Sequence, residues 1–491
     1  MLSDIKSIFK HSSIYGFSTI LQKGIGFIMI PVYTNFLTPS DYGTIELLDL
    51  TINIITMLVG LGLGAGIVRF YHYYESERDK KDLFSTSFYL IIIINLIVVA
   101  GLELFSRELS GLVLGDPLKF RYFQIILLAM GLQTIATVPE NLLLAEKKSF
   151  IYSGISIVTL FSYLTFNILF LVVYQMGVMG ILISMLITKV LNNAMLLIAV
   201  RKKLIWSFSY QKFKELAAFT LPLVPAAVFM FAMHYSDRFF LQKFGSLEEL
   251  GIYSLGYKFG MIISVLISQP FFRIWNTKRF EIAKGEDGPQ KISLFFTYFM
   301  FILVTAALGI SIFIKEAILI LTPPEYTEAH TLVAAIAIAY ILYATSNFFT
   351  IGMVLKFKTK ILSYIRIFTS LFNIGLNFIL IRHYGIEGAV VSTIISFFLL
   401  ALLSMVFSLK LYPIPIEYKR ITILGVLFFV FLVVSNFIYL GIVYAIIVKI
   451  LLFLAFPCIL LLFDFFSQDE LLHGRKILGS IFKRVVAVKG T

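Results

Sequence analysis

SIYGFSTILQKGIGFIMIPVYTNFLTPSDYG, residues 13–43, is apolar enough to cross a bilayer between Ser13 and Leu37, yet it carries Gln22 and Lys23 near its middle. A charge at a helix centre costs roughly 2.5–3.5 kcal/mol even on insertion scales, so a membrane helix keeps one only where it faces a wet or protein-lined interior. Four more basic residues sit inside apolar segments in the same way: Lys189, Arg238, Lys258 and Arg366. A route lined by cations suits an anion.

Composition makes the membrane assignment general. Of the 491 residues 59% are hydrophobic and 14% charged, and the mean hydropathy is +0.93; soluble domains carry about 25% charged residues. The start, MLSDIKSIFKHSS, has the look of a signal peptide, but the segment after it is longer and more polar than a cleavable h-region, so it reads as a retained first span. The single cysteine, Cys458, excludes an intrachain disulfide.

Apolar runs of about 20 residues, the length that crosses the hydrocarbon, predict an all-α polytopic membrane protein with about 14 transmembrane helices. The expected limits are 13–37, 44–71, 83–105, 120–144, 149–174, 177–200, 216–242, 249–274, 292–320, 329–355, 361–382, 386–409, 419–439 and 441–465. Charge placement supports the even count. With the N-terminus inside, the inside segments hold 28 of the 41 Lys and Arg, and the outside loops hold five: Arg107, Lys119, Arg121, Lys243 and Arg382. Both termini are then cytoplasmic, and basic loops beside anionic lipid headgroups account for most of the +13 net charge without any nucleic acid.

The chain also repeats itself. Asp41-Tyr42-Gly43 finds a counterpart in Glu249-Leu250-Gly251, and Gly177, Gly180 and Ser184 recur as Gly385, Gly388 and Ser392, both at an offset of 208; Asn167 and Asn377 align at 210. Two units of six helices follow, in the same orientation because six is even, as in transporters whose halves are related by an axis along the membrane normal. The expected organisation is an N-lobe at 1–200, a cytoplasmic amphipathic connector at 201–215 with Trp206 and Phe208 at the interface, a C-lobe at 216–410, and two accessory helices with a basic cytoplasmic tail at 411–491.

The stretch from Ser13 to Leu48, the basic turn AEKKS at 145–149 leading into a fifth span with Asn167, and the glycine-rich entry to the sixth span resemble the polysaccharide flippases of the multidrug/oligosaccharidyl-lipid/polysaccharide (MOP) exporter superfamily. The resemblance covers about residues 1–410. It implies two six-helix lobes rocking around a central cavity, moving an undecaprenyl-diphosphate-linked oligosaccharide from the inner to the outer leaflet of a bacterial cytoplasmic membrane for cell-surface polysaccharide such as O-antigen. The implied partners are the bilayer, the lipid-linked oligosaccharide, and the polymerase and other proteins of its assembly, with no cofactor. Lys and Arg in a wet cavity would hold a diphosphate by charge-assisted hydrogen bonds.

The residues expected on that path are Thr19, Gln22 and Lys23, a polar stripe in the first span; Asn53 in the second; Lys189 in the sixth; Arg238 and Lys258 in the seventh and eighth; and Arg366 in the eleventh, near enough to the cytoplasmic end to snorkel. Glu46 and Asp49 precede Asn53 on one stripe, near the outer end, where a solvated cap or salt bridge is the simpler expectation. Asp237 and Arg238, being adjacent, are expected on different faces, where they could serve different partners.

No GxxxxGK[ST] occurs, so coupling is expected to a proton or sodium gradient or to the membrane potential rather than to ATP. The resemblance to lipid II flippases implies a sodium ion between helices 7, 11 and 12, where this chain offers Asp237, Asn373, Asn377 and Thr393; His234 beside Asp237 offers a proton-linked version, and Glu46 and Asp49 are further acidic candidates. Interhelical hydrogen bonding is the competing role for the amides. Two other classes stay open: a cation-coupled multidrug exporter of the same superfamily, whose cavity should be lined by carboxylates and aromatics, and a polytopic polymerase or glycosyltransferase. The longest outside loop, SRELSGLVLGDPLK at 106–119, holds no evident catalytic pair.

Overall fold

The computed structural model describes residues 26–470 apart from positions 439 and 469, with no strand among the described residues. Among the described residues, twelve helical stretches are long and apolar enough to cross a membrane. The longest, Thr359–Leu411, is two helices meeting at Gly385, where φ 52° and ψ −126° leave the helical region. Each expected span from the second onward therefore has a helical counterpart. Most of the first lies outside the described residues, with Ile30–Phe36 its helical end, so the expected 14 spans are not all counted here.

The principal helices are α1 (Pro39–Val59), α2 (Leu63–Tyr73), α3 (Glu77–Leu104), α4 (Phe120–Ala145), α5 (Ser149–Asn167), α6 (Gly177–Val200), α7 (Tyr210–Thr220), α8 (Val224–Phe244), α9 (Leu247–Gly260), α10 (Gly288–Leu321), α11 (His330–Phe348), α12 (Thr359–Leu411), α13 (Tyr418–Asn436) and α14 (Ile442–Leu462). The Asp-Tyr-Gly motif is a helix start. Thr38 accepts a hydrogen bond from the Asp41 backbone N–H at 3.1 Å while the Asp41 carboxylate accepts one from the Thr38 backbone N–H at 3.2 Å, a capping box with Pro39 at the first helical position. Ser246 caps α9 in the same way, accepting from the Glu249 N–H at 3.1 Å.

The repeat is written in the backbone as well. Lys147 (φ 57°) and Phe357 (φ 54°) are left-handed residues 210 apart, ending α4 and the Ile351–Leu355 turn, and Gly177 (φ 55°) and Gly385 (φ 52°) are left-handed 208 apart. Between the halves, α1 lies on α9 with no room for a side chain: a Cβ on Gly43 would overlap the Leu247 carbonyl oxygen, and one on Gly251 would overlap the Pro39 carbonyl oxygen. Leu247 is itself Pro39 displaced by 208, so the contact is reciprocal.

The connector is fastened to the first half. Ser85 accepts a hydrogen bond from the Ile205 N–H at 2.9 Å and Thr86 from the Ser209 N–H at 3.0 Å; Lys203 reaches Glu146 at 3.0 Å and Lys212 reaches Asp79 at 2.8 Å. Trp206 stacks on Tyr89, with centroids 5.6 Å apart, while 97% of its surface stays exposed. Burial pushes the Glu146 carboxyl up, but hydrogen bonds from Lys148 and Lys203 outweigh it and leave that carboxyl below its ordinary value. At the other end of the chain, α13 and α14 pack on α10, and Lys449 of α14 pairs with Glu316 of α10 at 2.7 and 2.8 Å, both side chains being buried. Lys449 is thus a further intramembrane cation, one the sequence reading did not single out.

Candidate substrate site

Two cavities meet in the first half of the molecule. One, of about 580 Å³, is enclosed by α1, α4, α5 and α6 and lined by Asp49, Glu140, Tyr163, Lys189 and Asn192, among others. The other, of about 370 Å³, lies between the halves, with Phe27, Ile30, Ile45 and Met261 giving it an apolar wall and Glu46, Asp49 and Lys258 its charges. Asp49, Tyr163 and Met185 line both, so the two spaces adjoin.

Lys258 is the cation of the inter-half cavity. Its ammonium lies 3.1 Å from Glu46, donates to the Tyr42 hydroxyl at 3.0 Å and stands 4.6 Å over the Tyr42 ring, yet 39% of its side chain is exposed. Glu46 is the salt bridge the sequence suggested. From α1 it reaches both Lys258 and, at 3.8 Å, the Arg238 guanidinium, tying one helix of the first half to two of the second. Asp49, one turn on, is exposed to both cavities and accepts a hydrogen bond from Asn53 at 3.1 Å; Asn53 accepts in turn from Gln133 at 3.3 Å. Lys189 lines the larger cavity and makes no ion pair among the described residues.

Other expectations fare differently. Thr19, Gln22 and Lys23 lie outside the described residues. Arg238 lines neither of these two cavities. It is 2% exposed, pairs with Asp237 at 2.8 Å, donates to the His234 carbonyl at 3.0 Å and packs 3.9 Å from the Tyr257 ring centre. The long arginine side chain curls back so that Asp237 and Arg238, neighbours on one helix, pair with each other, and each also keeps a partner of its own, the Tyr253 hydroxyl for Asp237 and Glu46 for Arg238. Arg366 lines a separate cavity of about 220 Å³ in the second half, beside Ala226 and Met230.

The proposed ion ligands also come apart. Asp237 is held by Arg238 and the Tyr253 hydroxyl. Its neighbour Ser236, about 100° around the helix, faces the amides: Asn377 donates to Ser236 at 3.0 Å and to Asn373 at 3.1 Å, Asn373 donates to Ser396 at 3.0 Å, and Ser392 donates to Asn377. Thr393 bonds its own helix at the Ala389 carbonyl, 2.9 Å away. The amides thus act between helices, without Asp237. His234 sits among rings, 4.7 Å from Tyr343 and 5.3 Å from Phe397.

The sequence reading named Asp49 and Lys189 of the larger cavity but passed over the rest of its lining. Gln133, Thr137 and Glu140 on α4, Tyr152, Ser156, Thr159 and Tyr163 on α5, and Met185 and Asn192 beside Lys189 on α6 all face it. Their spacing of three and four was the available signal. Asn192 donates to Glu140 at 3.4 Å and accepts from Thr159 at 3.1 Å, so part of the wall is braced in advance.

A model of the family described as "Polysaccharide biosynthesis protein" matches residues 8–275, more than half of the chain. The chain belongs to this family. Polysaccharide biosynthesis proteins are MOP superfamily members, and the fold agrees. The chain superposes with TM-score 0.75 on the lipid II flippase MurJ in an inward closed conformation, at 15% identity over 92% of this chain and 98% of that one. It superposes with TM-score 0.64 on an inward-facing MATE-family multidrug resistance transporter, at 13% identity over 84% and 95%. Lsg locus protein 1 of Haemophilus influenzae is 20% identical over 278 residues, which are 53% of this chain and 63% of that relative's length. This family member shares its architecture with flippases and transporters.

Proposed function

We propose that the protein is a flippase that carries an undecaprenyl-diphosphate-linked oligosaccharide from the inner to the outer leaflet of a bacterial cytoplasmic membrane, with both termini cytoplasmic. The observation that supports this most is Lys258, a half-available cation at an apolar cavity between the halves, next to a larger polar one. A diphosphate cannot cross hydrocarbon unaided; an ammonium supplies the charge-assisted hydrogen bonds that replace its water. The halves touch through Gly43 and Gly251 at the end that the loop charges place outside, so rocking about that contact would expose the cavities alternately. Energy would come from a proton or sodium gradient or from the membrane potential, and the polymerase and other assembly proteins would receive the product.

The test is leaflet transfer in vesicles containing the purified protein, using lipid-linked oligosaccharides extracted from the host. Transfer of these, with no efflux of a cationic dye, supports the reading. Dye efflux without lipid transfer would establish the drug-exporter class instead.

A further inference from the structure

We infer that the 580 Å³ chamber of the first half is a sugar-binding subsite, taking the glycan while Lys258 holds the diphosphate. This rests on the flippase reading for the lipid handle. Its volume falls in the range of about 300–1,000 Å³ that accommodates organic ligands rather than single ions.

The lining has the chemistry of carbohydrate recognition. A pyranose offers hydroxyl pairs at its edge and a C–H face above and below. Planar carboxylates and amides bind the edge two atoms at a time, and Asp49, Glu140, Gln133 and Asn192 supply four such groups. Aromatic rings with a polar tip cover the face, and Tyr152 and Tyr163 supply two. These tyrosines are eleven residues apart on α5, so about 16 Å separates them along the axis, which suits a short oligosaccharide more than one sugar. Carboxylates outnumber the single Lys189, so a neutral or N-acetylated glycan fits better than a uronate.

The internal repeat supplies the contrast. At the offsets of 208 and 210, Lys189 corresponds to Phe397, Thr188 to Ser396 and Tyr163 to Asn373. In the second half these positions are closed: Phe397 is fully buried against His234 and Tyr343, and Asn373 bonds Ser396 directly. At these positions equivalent helices line a chamber in one half and a closed seam in the other, where the second half's own cavity is the smaller space of about 220 Å³ beside Arg366. A scaffold need common to both halves would not produce that difference.

The experiment measures binding to the full chain in vesicles of three probes: the host lipid-linked oligosaccharides, the same pool after mild acid has removed the glycan, and the released glycan. Intact lipid should bind about tenfold more tightly than sugar-free lipid. Glu140→Gln and Asn192→Ala should each erase that difference while leaving sugar-free binding unchanged, which also shows that the variants fold. Equal binding of the two lipids by the wild type, or a difference that survives both variants, would overturn the inference. If sugar-free lipid fails to bind, or binds independently of Lys258, while released glycan still binds in a Glu140-dependent way, the chamber stands and the diphosphate handle falls.

Discussion

Gly43 and Gly251 meet across the two halves of the molecule, each at a position where the partner helix's carbonyl leaves no space for a Cβ. The contact joins residues that are each other's counterparts in the repeat, so the same motif is used twice in one interface, as a two-fold axis requires. Gly43→Ala is therefore expected to push α1 and α9 apart. A shift toward the state open at this end should appear as a longer interspin distance between labels at Ser40→Cys and Glu248→Cys, and the overpacking should cost about 1–3 kcal/mol of stability.

Glu46 neutralises Lys258 in the structure and would compete with a substrate diphosphate for it. Glu46→Gln should tighten binding of sugar-free polyprenyl diphosphate several-fold, and Lys258→Gln should weaken it by about tenfold. Equilibrium binding in vesicles checks both. Unchanged affinity in Glu46→Gln would mean that the ion pair does not gate the site.

The Glu316–Lys449 pair is buried between α10 and α14. Removing one partner strands the other charge, so Lys449→Met should cost about 3–5 kcal/mol, and the double variant Lys449→Met/Glu316→Leu should recover most of it. Thermal unfolding of the purified variants measures this. Equal loss in single and double variants would contradict it.

Glu146 makes the connector's docking sensitive to acid. Its folded carboxyl lies below the ordinary value, so its contribution is present above the unfolded pKa of about 4.3 and is lost as pH falls through the lower folded value. Emission from Trp206, which rests on Tyr89, should hold steady from neutral pH and change only in that acidic window. Glu146→Gln should show the altered emission at neutral pH.

Much of the architecture was legible because bilayer thickness fixes span length; the repeat was legible because glycines recur at the close approach of Gly43 and Gly251 and at the positive-φ turns of Gly177 and Gly385. The site was legible in part. Lys258, Lys189, Glu46 and Asp49 stood out as charges in apolar runs. Arg238 stood out for the same reason but is internally neutralised by Asp237, and adjacency in sequence hid that pairing. Tyr163, Glu140 and Asn192 were missed because a polar stripe on one helix looks like any other until α4, α5 and α6 are brought face to face.

The most direct test of the central claim is the initial rate at which wild type and Lys258→Gln, reconstituted at equal density, move host lipid-linked oligosaccharide between leaflets. Transfer by the wild type and a fall of about tenfold in the variant, with insertion unchanged, is the predicted result. No transfer by the wild type, or equal rates in the two, would contradict it.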